Sequence, residues 1–490
     1  MTKSIVEIIR RKSVEDPNKT AFIINEEKIS YLKLYEEMKS YASYLYRCGF
    51  KRGDFVLAKA LCSKYYFIAM YGTFLAGGVF VPLEKDYSEK QFQSIKEEIG
   101  NCFLIISDSE VSEFQELNCQ CLNYSDFSTI LKETNDEFEE LGDNDLALIP
   151  FTTGTTGKAK GVCLPYRYFV ETSFYLEEIP YSEKTIMMIS IPLNHVFGIG
   201  RTSTTLCHGG TVVVCDGLND LELFYKYIKY EGVNALALTP SAINYLLALT
   251  KDQLLESKEQ YEFFEIGGEK LPKALQERYI DTFKGVHLFI GYASTETGVI
   301  STYEFSKYGP TDNRVGRKTK EIKLLDESGN EFKASKDHPG FIGFSASWIM
   351  ISYYNAPEAT EKAKKNDTIL MSDYGYEDEE GYLCLAGRSG DVIISGAYKI
   401  DPTEVENAAL SLGTINDCVC IGKKDEIFGY KAALLVVMKN NEVFSKSVIK
   451  KSLMNILENY KVPKVIEQVE RIQRNKNGKI DRKYYREIEG

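Results

Sequence analysis

Histidine is scarce in this chain: four residues among 490, at positions 195, 208, 287 and 338, and they build no metal motif. Positive charge is also short, with 59 Lys and Arg against 71 Asp and Glu and a net charge of −12. That balance argues against a nucleic-acid binder, whose affinity rests on a basic surface. It does not exclude a nucleotide ligand, because a few local lysines and one Mg²⁺ reverse the field inside a cleft. The eleven cysteines lack a framework. Their number is odd, and the close pairs Cys119/Cys121 and Cys418/Cys420 have no matching second pair or histidines. Zinc is thereby disfavoured, and the cysteines read as buried small hydrophobes. No secretory signal is expected either: Met1 to Pro17 reads as an amphipathic helix with Ile5, Ile8 and Ile9 inward. The apolar stretch Tyr65 to Leu83 is interrupted by tyrosines, Gly72 and Gly77-Gly78, and reads as a helix followed by a strand in a core, not a membrane span. A cytoplasmic protein is the expectation. There are no internal repeats and no low-complexity segments.

What is present is alternation. Ile29 to Cys48, Lys64 to Leu75, Leu221 to Tyr230 and Ser241 to Leu249 have helical periodicity. Phe55 to Ala60, Phe103 to Ser107, Leu146 to Pro150, Met187 to Ile191, Thr211 to Cys215, Ala235 to Thr239 and His287 to Gly291 read as short buried strands. This texture predicts α/β layers with largely parallel sheets, where ligands collect at the carboxyl ends of strands. A chain of this length needs more than one core. From about Val315 glycines and turns become denser, which predicts a β-rich section. Gly387 to Asp391 reads as a linker. Beyond it, the strands Cys418 to Gly422 and Ala432 to Met438 and a helix near Ser445 to Asn459 make a tail the size of a small α+β domain.

The most informative stretch is Phe151 to Val162, Phe-Thr-Thr-Gly-Thr-Thr-Gly-Lys-Ala-Lys-Gly-Val, directly after the apolar run Leu146 to Pro150. A strand running into glycines, hydroxyls and two lysines offers backbone N–H groups and cations to one point, a device for holding a polyphosphate. The spacing is not that of a Walker A loop, because the second glycine and the lysine arrive too early. Further along come Gly267-Gly268-Glu269, then Gly291-Tyr292-Ala293-Ser294-Thr295-Glu296-Thr297-Gly298 after a buried strand. Asp373 follows in an acidic turn, then Gly387-Arg388, Gly396, and Asn477-Gly478-Lys479 near the end.

Taken in order, these motifs resemble the adenylate-forming superfamily: acyl- and aryl-CoA synthetases, peptide-synthetase adenylation domains and luciferases. The resemblance covers essentially the whole chain and is nearest to a free-standing acyl- or aryl-CoA ligase. It implies an N-terminal core of layered α/β sheets over residues 1–387, including a β-rich subdomain at about 315–387. A hinge at 388–392 and a small mobile α+β domain at 393–490 complete the expected division. The implied activity is ATP- and Mg²⁺-dependent conversion of a small-molecule carboxylic acid to an acyl-adenylate, with release of pyrophosphate. Transfer to a thiol follows: coenzyme A, or the phosphopantetheine of an acyl carrier protein acting in trans. A non-catalytic adenine-nucleotide sensor on the same fold is the alternative of another class. Retention of Lys479, Glu296 and both loop lysines argues against it.

By the same resemblance, Thr152, Thr153, Gly154, Thr155, Thr156, Gly157, Lys158 and Lys160 grip the β- and γ-phosphates. Gly291, Tyr292, Ala293 and Ser294 take the nucleotide, Tyr292 packing on adenine with Gly268 as the facing wall. Thr295 reaches the α-phosphate and Glu296 holds Mg²⁺, a hard cation that favours oxygen ligands. Asp373 accepts both ribose hydroxyls, with Arg388 beside it. Lys479 bridges the substrate carboxylate and the α-phosphate, offsetting their repulsion as the two anions meet. Gly396 and its neighbours line the thiol tunnel. His195 is implied as a gate near the α-phosphate and the acyl pocket; its competing reading is a satisfied core histidine. Amino-acid-activating relatives usually carry an aspartate near His195, and none occurs between Asp145 and Asp216. An acyl or aryl acid among Phe197, Val299 and Ile300 fits better. Departures from the pattern are Thr153 for serine, Ala159 for proline, Gly390 at the hinge, and Ser352 for the glycine before Tyr353.

Overall fold

Short apolar strands and the helices between them build the layers that their alternation predicts. In the computed structural model, residues 4–87, 95, 97–100, 102–108, 120–132, 137–153, 159–175, 177–269, 271–388, 391, 393–395, 398–425, 429–440, 442–474 and 480–489 are described. Two units divide the chain: Met1–Lys270 with Tyr279–Gly309 and Phe344–Ile369, and Leu271–Arg278 with Pro310–Gly343 and Leu370–Gly490.

Among the described residues the strands form four sheets. The first unit contains two, each of eight strands. In one, the order is Gly298–Glu304, His287–Ser294, Phe263–Ile266, Ala235–Leu238, Ile186–Ile189, Thr211–Val214, Thr20–Ile24 and Glu27–Ser30. Its six inner strands are parallel, and each edge strand is antiparallel to its neighbour. The other runs Ser352–Tyr353, Ala159–Pro165, Leu146–Leu148, Val79–Leu83, Phe55–Lys59, Cys102–Ser107 and Gln120–Asn123, with Phe151–Thr153 hairpinned onto Ala159–Pro165. Parallel strands are buried on both faces, which is why these runs read as continuous apolar blocks. Val79 to Leu83 has no exposed position.

The connecting helices start where small polar residues can cap them. Ser30 accepts from the Lys33 amide ahead of Tyr31–Arg47, and Ser63 caps Lys64–Leu75. Thr239 caps Pro240–Leu249, with proline at its first position. Lys64–Leu75 is buried all round from Tyr66 onward, which accounts for its apolar sequence without a membrane. No helix among the described residues is long and apolar enough to cross one. The fully buried Tyr66 hydroxyl donates to Leu193 O at 2.7 Å, fixing the loop that leads into His195. Gly77 turns the chain at φ +80, and a Cβ there would stand 2.6 Å from Glu139 O.

Two further sheets use the remaining strands. The order Arg314–Arg317, Tyr382–Arg388, Thr368–Glu377, Gly340–Phe344, Ile322–Leu325, with Lys364–Lys365 added beside Thr368–Glu377, is the β-rich section. Tyr398–Ile400, Ile393–Ser395, Gly429–Met438 and Ile415–Asp425, with Val465–Gln468 on Gly429–Met438, form the last sheet. Ile449 and Leu453 of the helix Lys446–Met454 enter its core. One expectation changes. Gly387 and Arg388, read as linker, complete the strand Tyr382–Arg388, because Arg388 pairs in register with Asp373 and Gly387 takes φ +106. Ser389 and Gly390 lie outside the described residues.

At Gly72 the helix Lys64–Leu75 packs directly against Tyr31–Arg47. An added Cβ would lie 2.8 Å from Tyr41 Cδ1 and 3.0 Å from Met38 O, and a backbone carbonyl cannot swing aside. Overpacking of about 1–3 kcal/mol outweighs the gain in helix propensity of about 0.5–1 kcal/mol. Gly72→Ala should therefore lower the urea midpoint without changing the slope; an unchanged or higher midpoint would refute this packing.

Candidate active site

The hairpin Phe151–Thr153/Ala159–Pro165 is locked in place by the absence of a side chain at Gly161. A Cβ there would meet Ile149 Cγ2 at 2.7 Å and the Phe151 ring at 3.2 Å. Phe151, Thr152 and Thr153 pair with Gly161, Lys160 and Ala159, so Thr152 and Lys160 stand opposite each other one pair below the loop. Gly154, Thr155, Thr156, Gly157 and Lys158 lie outside the described residues.

Lys160 does not point at random. Its Nζ sits 5.3 Å from the centroid of the Tyr353 ring. Tyr353 is brought there because Ser352 and Tyr353 pair with Cys163 and Val162 of the same sheet. Its hydroxyl donates to Glu296 Oε1 at 2.6 Å. Glu296 belongs to the other eight-stranded sheet, in the turn between His287–Ser294 and Gly298–Glu304. Burial and the Glu296 carboxylate push the Tyr353 phenol far above its ordinary range, so it remains a donor at neutral pH. Two backbone anchors hold the turn: Met350 N donates to Glu296 O at 2.8 Å, and Trp348 Nε1 to Thr297 O at 2.9 Å. Ser294 Oγ and Thr297 Oγ1 lie 3.0 Å apart and exchange a hydrogen bond across the turn. Thr295 and Glu296 are half-buried, and Ala293 is exposed.

A second wall comes from the strand ends beside this turn. Gly268 takes φ +83, a conformation that favours glycine, and Gly267 N is bonded to Leu238 O at 3.1 Å. The Phe197 ring covers Gly267, where a Cβ would be 3.2 Å from Phe197 Cζ. His195 is the N-cap of the helix Val196–Cys207 and is half-buried. Gly291 and Tyr292 lie in His287–Ser294, opposite Thr302 and Ser301, with a bulge after Tyr292 that re-aims the strand. Tyr292 is buried, whereas Gly291 is half-buried.

In the second unit, Asp373 and Arg388 are cross-strand partners beside a bulge, which brings the two expected ribose contacts to one place on one sheet. Gly396 and Lys479 lie outside the described residues. Among the described residues on either side of that segment, Arg474 bridges to Ile480 through the backbone and to Asp417 through its guanidinium at 2.8 Å. Sequence reading missed Tyr353 as the partner of Glu296, and nothing in a chain of 33 tyrosines marks it out. No group of three or more metal-ligating side chains is found among the described residues.

A model of the AMP-binding enzyme family matches residues 9–354, and a model of the AMP-binding enzyme C-terminal domain matches residues 404–479. The chain belongs to the AMP-binding enzyme family. Membership bears out the resemblance read from the ordered motifs, and with it the reading of the chain as an enzyme. The chain is 24% identical over 495 residues to a 2-succinylbenzoate–CoA ligase of Bacillus cereus (strain AH820), covering 100% of this chain and 99% of that protein. It is 24% identical over 507 residues to the long-chain-fatty-acid–CoA ligase FadD13 of Mycobacterium tuberculosis (strain H37Rv), covering 99% and 98%. Its fold is similar to that of ATP-bound MatB from Rhodopseudomonas palustris, with a TM-score of 0.88 at 22% identity, covering 100% of this chain and 99% of that one. The layered α/β fold expected from the sequence is therefore borne out.

Cys163 lies in the strand that leads out of the loop and is buried beside Ser352. Burial raises its thiol to about 11, so at pH 8 it is protonated and a poor nucleophile. Iodoacetamide at pH 8 should label Cys163 only after unfolding, as read by peptide mass mapping. Rapid labelling of the native chain would contradict this burial.

Proposed function

We propose that this chain activates a carboxylic acid with ATP and passes the acyl group to coenzyme A. The observation that carries the reading is the convergence of Lys160 and Glu296 on Tyr353. A cation on the strand that leaves the Gly/Thr loop and an acid in the strand turn are held together by one side chain. The named activities of the curated relatives support a CoA ligase.

Glu296 suits Mg²⁺: it is a half-buried carboxylate steadied by a phenol and offers hard oxygen. When bound, Mg²⁺ supplies positive charge to neutralise the phosphates of ATP. Thr152, Thr153, Gly154, Thr155, Thr156, Gly157, Lys158 and Lys160 hold the β- and γ-phosphates. Gly268, Gly291, Tyr292, Ala293 and Ser294 hold adenosine, and Asp373 with Arg388 takes the ribose. His195 and Thr295 attend the α-phosphate, with His195 heading a helix whose N-terminus favours anions.

A carboxylate oxygen of the acid attacks the α-phosphorus, the bond to the β-phosphate oxygen breaks, and pyrophosphate leaves. Lys479 lies between the two anions and offsets their repulsion. Rotation of residues 393–490 about the segment that follows Arg388 withdraws Lys479 and brings Gly396 to the thiol path. The thiol sulfur attacks the acyl carbon, its proton passes to solvent, and AMP leaves.

The test follows pyrophosphate and thioester formation with Mg²⁺·ATP and a panel of aliphatic and aryl acids, with coenzyme A or a phosphopantetheinylated carrier protein as acceptor. Sustained turnover requiring one acid and coenzyme A is expected. Lys479→Ala should lose adenylation by about 100-fold or more yet still convert supplied acyl-adenylate to thioester. Equal loss of both half-reactions would overturn the two-conformation scheme, and turnover only with the carrier would overturn the choice of coenzyme A.

A further inference from the structure

The helix Val196–Cys207 meets the strand Phe263–Ile266 and its continuation at two successive levels. At the outer level the Phe197 ring covers Gly267. One helical turn further along, Arg201 Nη1 donates to Glu265 Oε2 at 2.5 Å. Residues four apart on a helix and two apart on a strand share a face, so the pair Arg201/Glu265 is the next rung of the contact that begins with Phe197/Gly267. Both side chains of this inner rung are only 4% exposed.

The rung is not self-sufficient. Glu265 is fully engaged, because the Tyr181 hydroxyl donates to its Oε1 while Arg201 takes Oε2. Arg201 Nε is buried and has no hydrogen-bond partner among the described residues. Gly200, beside it, is buried as well, yet a Cβ there would meet nothing within 4 Å. Stability alone does not account for the arrangement. A buried ion pair is commonly replaceable by well-packed apolar residues at no loss, and an orphaned buried donor is a cost. A spare buried donor one residue after a buried glycine whose Cβ position is unfilled belongs to recognition more readily than to packing.

The local charge selects the ligand. Arg201 and Glu265 neutralise each other, so a second carboxylate arriving here would leave net negative charge buried. A bare hydrocarbon end would leave Nε unsatisfied. A neutral oxygen does neither. On the reading above, in which the acid lies against Phe197, we infer that the acid taken by this site carries a hydroxyl or keto oxygen at the end remote from its reacting carboxylate, and that Arg201 Nε donates a hydrogen bond to it. Arg201 is then a specificity-determining residue, with Glu265 and Tyr181 positioning its guanidinium.

The experiment is acid-dependent ATP–pyrophosphate exchange by the full chain, which reads adenylation without any thiol acceptor. Straight-chain and para-substituted aryl acids are compared in matched sets, each as the unsubstituted parent, its terminal hydroxy or oxo congener, and its terminal carboxylate. In the preferred set, the hydroxy or oxo member should exceed both others in kcat/KM by about 10- to 100-fold. The variant Arg201→Met/Glu265→Leu/Tyr181→Phe removes the cluster as a unit and should prefer the parent, with its thermal unfolding checked in parallel. Equal rates across a set, or preference of the native chain for the parent or the dicarboxylate, overturn the inference while leaving adenylation intact. An unchanged preference in the folded variant also overturns it. Silence with every acid overturns the adenylation reading itself. The comparison within the native chain stands without any variant.

Discussion

Tyr353 acts on two opposite charges at once, its ring facing the Lys160 ammonium and its hydroxyl held by the Glu296 carboxylate. Each contact alone is modest, of order 1 kcal/mol for the cation over the ring and about 1.5–3 kcal/mol for a hydrogen bond to a charged group. Their joint effect is geometric. Lys160 comes from one eight-stranded sheet and Glu296 from the other, so a single side chain fixes the separation of two loops that no common backbone ladder joins. The backbone bond from Met350 N to Glu296 O repeats the tie three residues earlier.

The rest of the first unit serves that registration. Parallel strands end together, and their loops gather on one side, where Gly268 and the bulge after Tyr292 re-aim the chain. Buried tyrosines complete the frame: Tyr66 donates to Leu193 O before His195, and Tyr31 donates to Gly210 O before the strand Thr211–Val214. A tyrosine-rich core thereby couples apolar burial to fixed loop positions, because each buried hydroxyl demands a specific acceptor.

Much of this was legible in the sequence, for local reasons. The Gly/Thr/Lys loop, the Gly-Gly turn at 267–268 and the strand-turn ending in Glu296 are each contiguous in sequence, and the roles proposed for them rest on residue type and order. The helices Ile5–Glu15 and Tyr31–Arg47 follow from apolar spacing and from the serine caps Ser4 and Ser30. What escaped notice depends on distance along the chain. Tyr353 is 57 residues from Glu296, and Arg201 is 64 from Glu265, so no window of sequence contains either pair. Gly387 and Arg388 misled for the opposite reason: their local composition reads as linker, while pairing with Asp373 makes them strand.

The central proposal is that Tyr353, between Lys160 and Glu296, sets the carboxylate of Glu296 for Mg²⁺. Calorimetric titration of ATP into the native chain and into Tyr353→Phe, with and without Mg²⁺, tests it most directly. The account predicts that loss of the hydroxyl weakens Mg²⁺-dependent ATP binding by about tenfold and leaves Mg²⁺-free binding nearly unchanged, since the ring remains over Lys160. Equal affinities for the two proteins in the presence of Mg²⁺ would contradict it.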